Sequence, residues 1–232
     1  NDPDPHIRIR IELYDPAQCP GVISIINKLL AQFVENGQIA TLSFDTYIRE
    51  IERYTPLCME LSEELFYKQS EVVLRTMQQS PTINDRWRSA FEHIDLLLES
   101  AKFTLIEKKE FCQQMNTHYQ QEFGNNKKLW IHLNNKFQEK KAWFDKPFGH
   151  LFAPNQQLFN LQQNIFSTVR TNINENRSSF VVTSLLASYV HMFINRLFMS
   201  DQRLHELAIY HFMVSYYKMQ IGKRKKAGHQ VT

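Results

Sequence analysis

Hydrophobic and polar positions alternate strictly from His6 to Leu13, with Ile7, Ile9, Ile11 and Leu13 on one face and His6, Arg8, Arg10 and Glu12 on the other. A period of two predicts a half-buried strand. Val22, Ile25, Ile26, Leu29, Leu30 and Phe33 then recur at helical spacing between Pro20 and Gly37. Proline at a helix start and glycine just past its end is the asymmetry a helix prefers. Gln38 to Tyr47 reads as a second strand. From Thr55, an N-cap candidate followed by Pro56, the pattern is helical, over 57–78, 85–101, 105–123, 127–143, 155–174, 180–199 and 201–221. Thr104 and Glu107 form a capping-box signature, and Gly124 supplies the matching stop.

Strands followed by a long run of helices predict an α+β fold: a helix-rich domain with a small antiparallel sheet formed partly by the N-terminal strands. Two strands are too few for a stable sheet, so the others are expected from upstream sequence or another chain. The opening at Asn1, without an initiator methionine and just before a strand, fits a start inside a longer natural chain. Loops are expected over 144–154, which holds Pro147, Gly149 and Pro154, and over 174–179.

Composition narrows the class. Hydrophobic residues are 43% and charged residues 22% of the 232, ordinary for a globular protein, and no apolar run approaches the length needed to cross a bilayer. The net charge of +3 depends on Lys223, Arg224, Lys225 and Lys226; without them 23 basic residues face 24 acidic ones. The expected organisation is therefore one domain over 1–222 and a basic, disordered tail over 223–232, with nucleic-acid binding the weaker reading of that tail. Cys19, Cys58 and Cys112 are odd in number and have no zinc-knuckle spacing, and no signal-peptide pattern opens the chain, so a reducing cytoplasm is the expected home.

Three features could carry chemistry. Arg8 and Arg10 leave one strand face about 7 Å apart, a spacing that suits an anion with separated oxygens; an ordinary solvated strand face accounts for them as well. Within Asp45–Tyr54, Glu50 and Arg53 are i,i+3 neighbours if the stretch is helical, and a carboxylate behind the guanidinium would fix its orientation. A polar turn is the competing explanation. The third is the apolar helix 180–199, whose polar residues Ser184, Ser188, His191 and Asn195 fall at offsets of four, three and four and so form one stripe. Polar groups in a buried helix need partners or a cavity, and histidine is suited to proton transfer near neutral pH. His205, Glu206 and His211 share no clean ligand face with His191, so no metal is expected. Only six glycines occur and none builds a phosphate loop or nucleophile elbow, which argues against ATP hydrolysis and serine hydrolase chemistry.

Four segments, PHIRIR at 5–10, FDTYIREIERY at 44–54, SEELFYKQS at 62–70 and SYVHMFINRL at 188–197, together resemble the C-terminal, SpaB-type domain of lantibiotic dehydratases, also found as stand-alone thiopeptide-type bacteriocin biosynthesis proteins. The resemblance implies removal of glutamate from glutamylated Ser or Thr of a precursor peptide, leaving dehydroalanine or dehydrobutyrine. It implies His191, Arg53 and Glu50 as catalytic residues and Arg8 and Arg10 as substrate ligands; the polar stripe adds Ser188 and Asn195 as candidate substrate ligands, and no cofactor is expected. The implied partners are the precursor peptide and a glutamylating, tRNA-dependent dehydratase domain or subunit, with a homodimer left open and no direct nucleic acid. Two departures stand out: the glycine pair that often follows R-Y is Thr55 and Pro56, and the acidic residue before Ser70 is Gln69. Pyridine synthases of the same family, which perform a formal cycloaddition, are the alternative, as is a non-catalytic helical module that binds a peptide or partner.

Overall fold

The structure is a computed structural model and describes residues 6–79, 82–124, 126–144 and 156–228. These residues form eight α-helices: α1 (Cys19–Glu35), α2 (Ile51–Gln79), α3 (Ile83–Ser100), α4 (Leu105–Glu122), α5 (Lys127–Glu139), α6 (Gln156–Asn172), α7 (Glu175–Leu197) and α8 (Gln202–Lys226). Short 3-10 turns lie at Pro16–Gln18 and Lys141–Phe144. The chain divides into two compact units, residues 1–49 and 50–232.

The expected α+β class is corrected here, because no strand or sheet occurs among the described residues and the fold is all-helical. A strand exists through its ladder of hydrogen bonds, and no strand ladder forms over 6–13 or 38–47 among the described residues. The alternation is real but leaves Ile7 89% and Ile9 70% exposed, with only Leu13 of that face partly buried. In the first unit only α1 is regular over any length. Pro20 lies in its first turn, and Gly37, at φ +70°, ends it by letting the Gln38 and Ile39 amides turn back to the Phe33 carbonyl.

In the second unit α7 is the central helix, packed against α2, α3, α6 and α8. Its Leu185, Leu186, Tyr189, Val190, Phe193, Ile194 and Leu197 are all fully buried. The segment Ser179–Leu197 has the length and composition to cross a membrane, contrary to the sequence expectation, but here those side chains form the core. α7 also begins at Glu175, where a loop over 174–179 was expected; only Ile173 and Asn174 separate it from α6. A polar first turn carries no apolar period and reads as a loop. The expected loop over 144–154 falls, from 145 onward, outside the described residues.

Local signals elsewhere act as the sequence predicts. Thr104 and Glu107 form a reciprocal capping box at the start of α4, and Gly124 follows that helix at φ +69°. α8 continues through Lys223–Lys226, so these basic residues are helical, placed where the negative end of the helix dipole favours cations.

Buried polar pairs join the helices at heptad intervals along α2. Ser62 meets the Tyr189 hydroxyl at 2.7 Å, and Thr76 meets Ser89 at 3.1 Å. Between them, Gln69 accepts from Arg196 Nη2 at 2.9 Å and faces His93 Nε2 at 3.0 Å. Arg196 also donates Nη1 to the Phe66 carbonyl at 2.7 Å and to Ser70 Oγ at 3.0 Å. His93 stacks on Phe193 with ring centroids 3.8 Å apart. Burial, and then the positive charge of Arg196, hold its pKa down to about 3.

That depression links stability to pH. In the unfolded chain His93 takes up a proton near its ordinary 6.5, whereas in the native state it stays neutral to about 3. Its contribution is therefore complete above pH 6.5 and is lost as pH falls toward 3, by about 3 kcal/mol at pH 4. Urea unfolding followed from pH 7 to pH 4 is expected to show a shallower loss for His93→Gln than for the parent. Superimposable profiles would mean that the native histidine titrates normally.

Candidate functional site

The polar stripe of α7 lies on one face, as its spacing predicts, and that face is the one the core leaves open: Ser184 and Asn195 are exposed, Ser188 and His191 half-buried. His191 is 29% exposed at its side chain, and its Nδ1 lies 2.9 Å from Oε2 of Glu206 on α8, itself only 2% exposed. Its Nε2 lies 2.9 Å from Nδ2 of Asn195, one turn further along α7. A carboxylate accepts and an amide N–H donates, so this pattern fits a neutral imidazole with its proton on Nδ1 and its lone pair on Nε2. The expected substrate ligand Asn195 thus holds the lone pair of the expected base.

Glu206 is the candidate residue that sequence reasoning undervalued, having been weighed only as a metal ligand. Among the described residues no three His, Cys, Asp or Glu side chains converge as a metal site. His205 instead accepts from Trp87 Nε1 at 3.1 Å and stacks on Phe198, while His211 faces Asn134. A carboxylate buried in this way needs compensation. Besides His191, the phenol of Tyr119 on α4 faces it, and burial first, then the Glu206 charge, raises the pKa of Tyr119 and of Tyr210, whose own hydroxyl is buried without a hydrogen-bond partner. Arg203, one turn before Glu206, lies over the Tyr119 ring at 4.7 Å and donates to its hydroxyl at 3.3 Å. Its fork grips Glu122 of α4, with Nε 3.0 Å from Oε1 and Nη2 on Oε2.

Glu50 and Arg53 form the ion pair their spacing suggests, with Arg53 Nη1 2.9 Å from Glu50 Oε2 and both side chains about half exposed. The Glu50 carbonyl accepts from the amides of Arg53 and Tyr54, so Glu50 stands at the N-terminal edge of α2. Arg53 lines an open groove of about 420 Å³ with Glu52, Thr55, Phe180, Ser184 and Ser188. Ser188 precedes His191 by three residues, so the groove and the His191 dyad lie along one face of α7. Arg8 and Arg10 belong to the first unit, where Arg10 lies over the Tyr47 ring at 4.8 Å.

The chain matches the family described as lantibiotic biosynthesis dehydratase C-term over residues 1–217. The chain belongs to that family. It is 24% identical over 216 residues to the subtilin biosynthesis protein SpaB of Bacillus subtilis, a match that covers 88% of this chain and 20% of that relative. It therefore spans about a fifth of the relative's length. No solved structure matches significantly. Of the segments that carried the resemblance, SEELFYKQS and SYVHMFINRL meet through Ser62–Tyr189 and the Arg196 bonds, so part of what they encode is the α2–α7 junction.

The backbone at Thr55 bears on the departure noted in the sequence, where the resemblance implies glycine. Thr55 has φ 62° and ψ 151°, a region open to glycine and costly for a β-branched residue, and it breaks α2 just before Pro56. Thr55→Gly is expected to raise stability by about 1 kcal/mol, the strain relieved exceeding the added chain entropy. A higher urea midpoint with an unchanged slope would show this; a lower midpoint would mean that the threonine side chain holds the turn.

Proposed function

We propose that this chain eliminates glutamate from glutamylated Ser or Thr residues of a precursor peptide. A serine hydroxyl is a poor leaving group, but its glutamyl ester departs as a carboxylate. What remains is removal of a weakly acidic α-proton, which needs a positioned base and stabilisation of enolate-like charge. The observation that carries the reading is His191, half-exposed and bonded through Nδ1 to a buried carboxylate. Membership of the dehydratase family supports the same class of chemistry.

In this mechanism Asn195, an exposed side chain, swings off Nε2 when the peptide binds. Nε2 then takes the α-proton, the electron pair of that C–H bond forms the Cα–Cβ double bond, and the Cβ–O bond breaks to release glutamate. Glu206 stabilises the imidazolium that forms and keeps the ring oriented. Arg53, its fork directed by Glu50, binds charge developing on the ester, and Ser188 contributes a hydroxyl from the same groove. The partners are the precursor peptide and a glutamylating domain or subunit that supplies the ester.

In a reconstituted dehydratase reaction, His191→Ala or Arg53→Ala is expected to leave glutamylation intact and slow elimination by about a hundredfold to ten-thousandfold, so that glutamylated precursor accumulates. Mass spectrometry reads the result, since each retained glutamyl group adds mass and each completed dehydration removes a water. Fully dehydrated product at the parent rate would place the elimination site elsewhere. Unmodified peptide would assign the domain to glutamylation or delivery.

A further inference from the structure

We propose that the Glu122–Arg203 ion pair, which ties α4 to α8 beside the His191–Glu206 dyad, is a positioning element that sets the proton affinity of His191. The inference rests on the reading of His191 as the base of the reaction. Neither Glu122 nor Arg203 belongs to any of the segments that carry the family resemblance. The two are 81 residues apart in sequence and meet only because α4 packs along α8.

The geometry is specific. Arg203 lies one helical turn before Glu206, so the guanidinium and the buried carboxylate share a face of α8. Glu122 holds the fork by two bonds, the Tyr119 ring supports it from below, and the Tyr119 hydroxyl receives a third bond while facing Glu206. His191 itself meets Glu206 of α8 and Asn195 of its own helix, while Arg203 stands one turn before Glu206 and Tyr119 and Glu122 reach Arg203 from α4. Glu122 feels both His118 and His191 as positive charge when they are protonated. Residual phenol partners do not change the charge count, because burial and Glu206 keep Tyr119 and Tyr210 neutral.

As a closed pair, Glu122 and Arg203 add no net charge beside the dyad. Opening it from either side should act with opposite signs. Removing the guanidinium leaves the Glu122 carboxylate uncompensated and makes His191 hold its proton more tightly. Neutralising Glu122 leaves Arg203 uncompensated and weakens that hold. A merely structural tie between α4 and α8 predicts no such reversal, since breaking it from either end loosens the same junction.

The test is an NMR titration of the His191 imidazole in the full chain, comparing Arg203→Met and Glu122→Gln with the parent. Arg203→Met is expected to raise the proton affinity of His191 by roughly threefold and Glu122→Gln to lower it by roughly threefold. The acid limb of the elimination rate should move with each. Shifts in the same direction, or no shift in either variant, overturn the proposal. Should Arg203→Met fail to fold, Glu122→Gln decides alone, an unchanged or raised affinity counting against it. The titration is read in the free protein, so it stands apart from the elimination reading, which fails separately if His191→Ala retains full activity.

Discussion

The arrangement of the second unit depends on how α7 is rotated about its axis. A helix that is apolar around most of its circumference can bury itself in many orientations at nearly equal hydrophobic gain, because that gain is not directional. Hydrogen bonds are directional, and two sets of them, seven residues apart on each helix, fix α7 against α2: Tyr189 with Ser62, and Arg196 with Gln69, Ser70 and the Phe66 carbonyl. Losing one side of such a junction leaves the other buried and unsatisfied, so the register is strongly specified. His93 stays neutral as part of the same junction, which ties it to the acid sensitivity of the fold.

With that rotation set, the polar stripe is left facing outward. His191 lies about 200° around the helix from Tyr189, which turns it away from α2 and toward the start of α8. There Glu206 can reach Nδ1 from beneath the surface while Nε2 remains near solvent. Burial of the carboxylate and partial exposure of the imidazole give the pair its asymmetry: one end anchors, the other is available to a ligand. The dyad and the Arg53 groove then follow each other along one face of α7.

The turn at Thr55 places a β-branched residue in a conformation suited to glycine. The chain has to reverse from the edge carrying Glu50 and Arg53 into the main body of α2, and it does so at this residue. Pro56 contributes by forbidding the helix to run straight through, since it disfavours α geometry at the preceding residue. The consequence is that Arg53 sits on a short, separate turn whose direction is independent of the long helix that follows.

Much was determined by the sequence alone. The helices from 57 onward, the capping box at Thr104, the helix stops at Gly37 and Gly124, the Glu50–Arg53 pair and the α7 stripe are all local. Each depends on residues within a few positions of one another, where periodicity and capping chemistry operate. The N-terminal alternation was equally local but pointed to a sheet, and a sheet is not a local object: without a ladder partner among the described residues the same alternation leaves Ile7 and Ile9 in solvent. The polar start of α7 was read as a loop for a related reason, since its helicity comes from the packed segment it introduces. What only the tertiary structure decided is which distant side chains meet. Glu206 beneath His191 and Glu122 on Arg203 join residues 15 and 81 positions apart. No spacing rule reaches across helices, and these contacts exist because packing of apolar faces brings α4, α7 and α8 together before any polar group chooses its partner.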